Sequence, residues 1–462
     1  MTHAGQTAGR AQPASASAEL VGWAPPTACA DGFKETEIGE IPIDWRVIRI
    51  ADSCQKPEYG YTETATSNPI GPRFLRITDI QDQRVDWNTV PYFRCDDNRK
   101  QRHQLRPGDI LFARIGATTG KSFLVRDCPD AVFASYLIRL RTKTVDPAFL
   151  YYFCNSQMYW KQIDANNGDK LKGGVSGSVL AELRHTLPPL PEQRAIAAVL
   201  AKIQAAVEVQ DKLVATLKEL KAATMAKLFR EGLRGEPLKR TEIGEIPESW
   251  EVVPLSELCA ADDGFIQTGP FGSQLHSSDY VHDGVPIINP THLENDRIRH
   301  ASIPQVTHAD AGRLRRHRLK VGDILFGRRG DVGRHAWVSR GEDGWLCGTG
   351  CLIVRPSDGR IEPLYLGYFL STRWVQDLLI SRAVGSIMPN INTKILAAIP
   401  VAVPAAEEQR HLADVFVALD NQVDQQLQRR NSLNSLFSSM LHLLMTGRVR
   451  VNRPETRDAL PA

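Results

Sequence analysis

Apolar residues along this chain fall into two kinds of pattern, and the pair occurs twice. The first kind is short. Runs such as "RFLRITDI", "DILFARI", "KSFLV" and "VFASYLIRLR" combine apolar, β-branched and aromatic residues and are closed off by Gly, Pro or Asp. They predict strands joined by turns. "PAFLYYFCNSQMYWKQI" and "EPLYLGYFLSTRWVQDLLI" carry helical spacing instead. The second kind is long. From Glu192, apolar or small residues recur at Ile196, Val199, Ile203, Ala206, Leu213, Leu217 and Leu220. They recur again at Leu412, Val415, Leu419, Leu433, Leu436, Met440 and Leu443. Alternating steps of three and four make a heptad seam.

Gln210 and Gln426 hold equivalent seam positions, where a polar residue sets register at some cost in stability. In "PLPEQR" the prolines end the preceding strand, and Glu192 follows where the helix dipole favours an acid. Gly232 and Gly447 stand where the two helices should stop.

The chain is a tandem duplication. "TEIGEIP" occurs at Thr36–Pro42 and letter for letter at Thr241–Pro247, each copy followed by a Trp, in "IDWRVIRI" and "ESWEVVPL". "GDILF" starts at Gly108 and at Gly322, and "PEQRAIAAVL" is echoed by "EEQRHLADVF". The predicted layout is a flexible leader over 1–33, a globular part over 34–190 and a long helix over 191–231. A linker over 232–240, a second globular part over 241–405, a second long helix over 406–446 and a tail over 447–462 follow. The fold class is α+β: two duplicated mixed α/β domains separated by two long coiled-coil helices. The first helix carries the chain from one domain to the other, and duplication makes the second return. The pair is expected to be antiparallel and pseudo-two-fold symmetric, with a domain at each end. The alternative packs each helix on its own domain.

Composition narrows the function classes. Of 462 residues, 42% are hydrophobic and 24% charged, with a net charge of +3, so a nucleic-acid partner must be met by local patches. No apolar run approaches the roughly 18 residues of a membrane span. The Ala/Ser/Pro-rich start reads as a leader rather than a secretory signal. Among eight cysteines only Cys347 and Cys351 lie close, in "CGTGC", without a second ligand pair. Reduced structural thiols in a cytoplasmic protein are expected, and no metal.

"GDILFARIGATTGKS" comes near a phosphate-binding loop, which would make the chain an NTP-using enzyme. But Gly116 and Gly120 bracket three residues where four are needed. The copy, "GDILFGRRGDVGRHA", lacks the Lys–Ser pair. Both copies share instead a basic residue (Arg114, Arg328), a Gly-bounded turn and a second base (Lys121, Arg334). A strand that delivers a compact basic turn suits nucleic-acid phosphates. A coiled-coil scaffold that binds protein at its ends is the remaining alternative.

With these motifs, and with "YGYTETATSNPIGPRFLRITDI", "TGPFGSQLHSSDY" and "VPIINPTHL", the chain resembles the specificity subunit of type I restriction–modification systems. The likeness covers about residues 34 to 450. It implies two target-recognition domains, each reading half of a split duplex DNA sequence, and no catalysis in this chain. It also implies that the helices dock two modification subunits and that endonuclease–translocase subunits join them, in antiviral defence. S-adenosylmethionine, ATP and magnesium would belong to those partners, and no membrane is involved. Accordingly, "NPTH" at Asn289 lacks the second Pro and the aromatic of a base-methylation tetrad, and Asp262–Asp263 has no recognisable metal-site companions.

Base readers should be polar side chains on loops between rigid strands. The candidates in the first domain are Tyr59, Tyr61, Thr62, Arg76, Arg114, Thr118, Thr119, Lys121 and Ser135. Those in the second are Gln267, Thr268, Ser273, Asn289, Arg328, Arg329, Arg334 and Thr349. Two late polar loops add Lys170, Lys172, Ser386, Asn390, Asn392 and Lys394 as phosphate contacts, against the plainer reading of solvated loops. "RLRRHRLK" at Arg313–Lys320 is a basic patch or the outer face of a helix with Leu314 inward. "GPRFLRITDI" aligns with "GVPIINPTHL", so Arg76 and Asn289 are equivalents suited to guanine and adenine. Arg76→Ala should abolish the preference at one base position; an unchanged recognition sequence would end that assignment.

Overall fold

The "GDILF" strands are apolar at every position because each runs through the middle of a sheet covered on both faces. The computed structural model describes residues 32–451 except 166–173, 262, 272–273, 295, 332, 358 and 385–388. The leader and the end of the tail lie outside the described residues. In the first copy β1 (Glu58–Tyr59), β2 (Ile110–Ala113), β3 (Ser122–Leu124) and β4 (Leu137–Leu140) form an antiparallel sheet in the order β1-β4-β2-β3. In the second, β5 (Phe265–Thr268), β6 (Ile324–Gly327), β7 (His335–Trp337) and β8 (Cys351–Arg355) repeat it as β5-β8-β6-β7. Ile110 and Phe112 enter one core and Leu111 another, as the period of two demands; Ile324, Phe326 and Leu325 do the same.

Two short helices cover one face of each sheet: Pro147–Phe153 and Gln157–Ala165, then Pro363–Leu370 and Arg373–Arg382. The first starts at Asp146, whose carboxylate accepts the amides of Ala148 and Phe149.

The long helices are α1 (Leu190–Glu231) and α2 (Ala406–Met445). The described chain divides into two units. One holds the residues up to Val209 with those from Arg430 onward, and the other holds Gln210–Arg429. In the first unit, Ile196, Ala197 and Leu200 at the start of α1 share a core with Leu441, Leu444 and Met445 at the end of α2. In the second, Met225 and Phe229 at the end of α1 pack on Leu412, Ala413 and Phe416 at the start of α2. Phe229 and Phe416 lie ring to ring at 5.1 Å. The start of each helix meets the end of the other, so the pair is antiparallel. Both helices stop at a glycine in the left-handed region, Gly232 at φ +63° and Gly447 at φ +68°. A Cβ on Gly447 would also stand 2.3 Å from Pro42 Cγ.

The seam needs correction. Leu213, Leu220 and Leu436 are 37%, 49% and 46% exposed; the seam positions Ile196, Gln210 and Leu412 are buried, and beyond Gln210 the buried positions of α1 are Val214, Met225 and Phe229. The inward face follows the 3.6-residue turn of a straight helix. A strict heptad register drifts off that face by about 20° per repeat, so residues that start inside finish outside.

The duplicated lead-ins and helix starts meet each other. "TEIGEIP" folds as a hairpin, Phe33–Lys34 with Ile41–Pro42 and Leu238–Thr241 with Gly244–Pro247. The Trp that follows is fully buried in each copy. Trp45 donates its indole N–H to Glu192 at 3.2 Å, and Trp250 donates to Glu408 at 3.3 Å. Arg450 closes the first site with bonds of 2.5 and 2.8 Å to Glu192 and of 3.0 and 2.7 Å to Asp44. In the second, the Leu233 amide donates to Glu408 at 2.9 Å.

The neighbouring Gln is equally committed. Gln193 accepts the Asp146 amide and donates to the Pro188 carbonyl, both at 2.8 Å. Gln409 does the same to Glu362 at 2.7 Å and Pro404 at 2.8 Å. Gln193→Leu and Gln409→Leu each orphan one buried carbonyl and one part-buried amide. Each should cost about 2–4 kcal/mol in urea unfolding, and a loss under about 0.5 kcal/mol would show that water replaces the amide.

Candidate nucleic-acid interface

The near-phosphate loop is a hairpin turn. Residues 114–121 join β2 to β3, and no helix follows. Within it the Thr119 amide donates to Gly116 O at 3.1 Å, the Thr119 hydroxyl to the same oxygen at 2.7 Å, and the Lys121 amide to Thr118 O at 3.0 Å. Gly116 and Gly120 take φ of +86° and +83°, which the tight return requires. Ser122, which would face magnesium in a phosphate loop, is buried in β3 and accepts from Asn155. The Thr119, Gly120 and Lys121 amides are spent inside the turn, and Arg114 and Lys121 are exposed on it. The second copy presents Arg329 and Arg334 in the same way, although Asp331 holds the Arg334 guanidinium at 2.8 and 3.0 Å.

Around each turn three other segments converge. The Arg114 amide donates to Tyr136 O at 2.9 Å, placing Ser135 beside it, and the Arg328 amide donates to Gly350 O at 2.8 Å, placing Thr349 there. The Arg114 carbonyl accepts Val175 N at 2.9 Å, and the Arg328 carbonyl accepts Ile391 N at 3.0 Å, next to Asn390. The edge strand completes the group. Tyr59 pairs with Ile138, and Thr268 pairs with Leu352. Ile138 and Leu352 face Phe112 and Phe326, so Tyr59 and Thr268 occupy one register. The Arg114 guanidinium stands 5.3 Å above the Tyr59 ring, whose hydroxyl accepts the Gly177 amide at 2.7 Å. Tyr61 joins this group through its backbone, which accepts the Ser135 amide at 2.6 Å, and Thr62 is exposed beside it.

Other candidates stand apart or are engaged. Arg76 and Asn289 share one backbone conformation at the head of a 3₁₀ turn, which bears out their alignment. The Arg76 guanidinium is held by Asp79 at 2.7 and 3.1 Å, a contact that raises its pKa. Asn392 caps the helix Thr393–Ala397 by accepting Ile395 N at 3.0 Å, and Lys394 is exposed on that helix. Gln267 donates to Arg316 O at 2.6 Å. Thr118 is half-buried in the turn. Lys170, Lys172, Ser273 and Ser386 lie outside the described residues.

The Type I restriction modification DNA specificity domain profile matches residues 42–219 and again 247–435. The chain belongs to the type I restriction–modification DNA specificity family. The type I restriction enzyme MjaVIII specificity subunit of Methanocaldococcus jannaschii is 24% identical over 447 residues, covering 91% of this chain and 96% of that protein. The EcoBI specificity subunit of Escherichia coli is 23% identical over 321 residues, covering 64% of this chain and 66% of its own. The crystal structure of the S subunit from M. genitalium superposes with a TM-score of 0.55 at 17% identity, covering 87% of this chain and 96% of that one. That likeness supports the fold.

Within this family frame the Asp of "GDILF" acquires a role that its spacing did not reveal. Asp109 takes Arg141 at 2.6 and 3.1 Å, and Asp323 takes Arg355 at 2.7 and 2.6 Å. Each carboxylate is at most 2% exposed and also accepts the amide three residues upstream, at Arg106 or Lys320. The pairing holds the Arg141 pKa above its usual value. Each domain thus locks its central strand to its neighbour at the end opposite the basic turn.

In "RLRRHRLK", Leu314 and Leu319 point inward, and Arg313, Arg315, Arg316, Arg318 and Lys320 are exposed, so both descriptions of that stretch hold. This patch adjoins Gln267, whose side chain donates to Arg316 O. Asp323→Ala leaves Arg355 without its buried partner and should cost about 3–5 kcal/mol, read by urea unfolding. A loss below about 1 kcal/mol would mean that the pair is not what anchors the strand.

Proposed function

We propose that this specificity-family chain directs a type I restriction–modification complex to a bipartite duplex target and catalyses nothing itself. Each domain reads one half-site with the cluster around its basic turn: Tyr59, Tyr61, Arg114 and Ser135 in the first, Thr268, Arg328, Thr349 and Asn390 in the second. The observation that carries this reading is the repetition of one scaffold with different polar side chains at matched places, as with Tyr59 and Thr268. A common frame with a changed set of readers suits two unlike half-sequences. Exposed Arg114, Lys121 and Arg329 would hold the phosphates and give binding its salt dependence.

The antiparallel helices would serve as docking ground for two modification subunits, and exposed Leu213, Leu220 and Leu436 offer the apolar surface. Adenine methylation with S-adenosylmethionine, and ATP- and magnesium-dependent cleavage, would belong to those partners and to the endonuclease–translocase subunits, in the cytoplasm. The NTP-enzyme alternative loses its ground because the Thr119, Gly120 and Lys121 amides are committed within the hairpin and Ser122 is buried in β3. A scaffold that binds only protein would show no salt-steep affinity for duplex.

The test is co-expression with the modification subunits followed by sequencing of methylated adenines. Two fixed half-sequences separated by a constant gap are expected. Methylation without sequence preference, or a single continuous site, would refute the reading.

A further inference from the structure

"GDILF" is the core of a longer repeated string. Arg102–Arg114 reads "RHQLRPGDILFAR" and Arg316–Arg328 reads "RHRLKVGDILFGR". The shared letters account for the Leu pair, 3% and 1% exposed, for the glycine turn, and for the Asp that binds Arg141 or Arg355. The Arg–His dipeptide that opens the string is accounted for by none of this.

The two histidines stand in matching surroundings. His103 is 9% exposed and His317 half-buried, and in both the Nδ1 atom is buried without a hydrogen-bond partner. A backbone carbonyl of the sheet's edge strand lies near each ring and pulls its pKa upward against burial: Tyr59 for His103 and Thr268 for His317, the two residues that share one register. The His103 ring also meets the Tyr61 ring edge-on at 4.3 Å and lies 5.9 Å from Phe133.

The carbonyl of the preceding Arg works alongside. Arg316 O accepts the Gln267 side chain at 2.6 Å. Arg102 O accepts Arg139 at 2.8 Å, and Arg139 in turn binds Glu58, the counterpart of Gln267 in the ladder. In both domains, then, the dipeptide lies against the edge strand beside the basic turn, bonded to Gln267 directly in one and to Glu58 through Arg139 in the other.

We propose that His103 and His317 are positioning residues for sequence reading: each fixes the edge strand beside its domain's basic turn, which carries the reader Tyr59 in one domain and Thr268 in the other. This rests on the DNA-specificity reading above. The histidines stay out of contact with DNA and act through the strand they hold.

The neutral ring is the working form. A proton on the buried Nδ1 would have no acceptor. Burial, then Arg139 and Arg102, lowers the His103 pKa, against a weaker pull upward from Glu58. Burial is also the first cause at His317; the Thr268 carbonyl pulls the other way, and Arg316 adds to the lowering. A histidine depressed in the folded state loses its contribution as pH falls below its unfolded value near 6.5. Reading should therefore blur on the acid side.

The experiment uses the full chain assembled with its modification subunits, with methylated adenines sequenced on random duplex and melting temperatures taken in parallel. His103→Leu should lower discrimination against single-base mismatches about ten-fold in one half-site and leave the other intact. His317→Leu should do the reverse. His103→Gln and His317→Gln keep an N–H donor that does not titrate, so both half-sites should stay stringent. Between pH 7.5 and 5.5 the wild type should lose stringency while the Gln variants keep it.

Full stringency in both Leu variants would overturn the proposal. So would a blur spread equally over both half-sites with a lowered melting temperature, since that marks loss of fold rather than loss of positioning. If the wild-type complex methylates without sequence preference, the specificity reading itself fails before any variant is compared, and this inference falls with it.

Discussion

Glu192 and Glu408 are carboxylates taken out of water at the first turn of a long helix. Such a group is costly unless every oxygen finds a donor. The protein supplies an indole N–H in each copy, then Arg450 in one and the Leu233 amide in the other. The helix N-terminus adds its own favourable field. Because the indole follows the "TEIGEIP" hairpin, satisfying the carboxylate also seats the hairpin against the helix. The adjacent Gln193 and Gln409 tie the same turn to the start of a domain helix. The direction in which each domain leaves its helix follows from these few bonds.

From that joint outward the domain is built to hold a turn still. The central strand is buried on both faces, its Asp is locked to an Arg on the next strand, and its far end emerges as a Gly-bounded hairpin with bases on it. Rigid strands beneath a short polar turn limit the entropy that binding must overcome. The polar side chains around the turn come from distant parts of the chain and are held by backbone bonds to Arg114 or Arg328. They can therefore differ between the copies without disturbing the frame.

The duplication, the mixed α+β domains, the two long helices and their glycine stops were legible in the residues, because each is a local or repeated pattern. The antiparallel pairing followed from duplication and chain direction. The seam was legible only in part. Ile196, Gln210 and Leu412 are buried as expected, but Leu213, Leu220 and Leu436 face outward, since a heptad count and a straight helix part company over several turns. Among the candidate readers, Arg114, Ser135, Arg328 and Thr349 converge. Asn392 is engaged as a helix cap, and Arg76 and Arg334 are engaged by aspartates three residues away. Nothing in spacing distinguishes a free Asn from a capping one.

Residue order by itself determined what repeats, which stretches are strand or helix, and where the helices end, because these depend on neighbours a few positions apart. Only the tertiary structure decided which face of each helix is buried and which polar groups remain unengaged. Those outcomes depend on partners more than a hundred residues away, as with Trp45 and Glu192 or Trp250 and Glu408. A side chain's hydrogen-bonding capacity is consumed by whatever the fold brings within about 3 Å, and that distance is not encoded in its place along the chain.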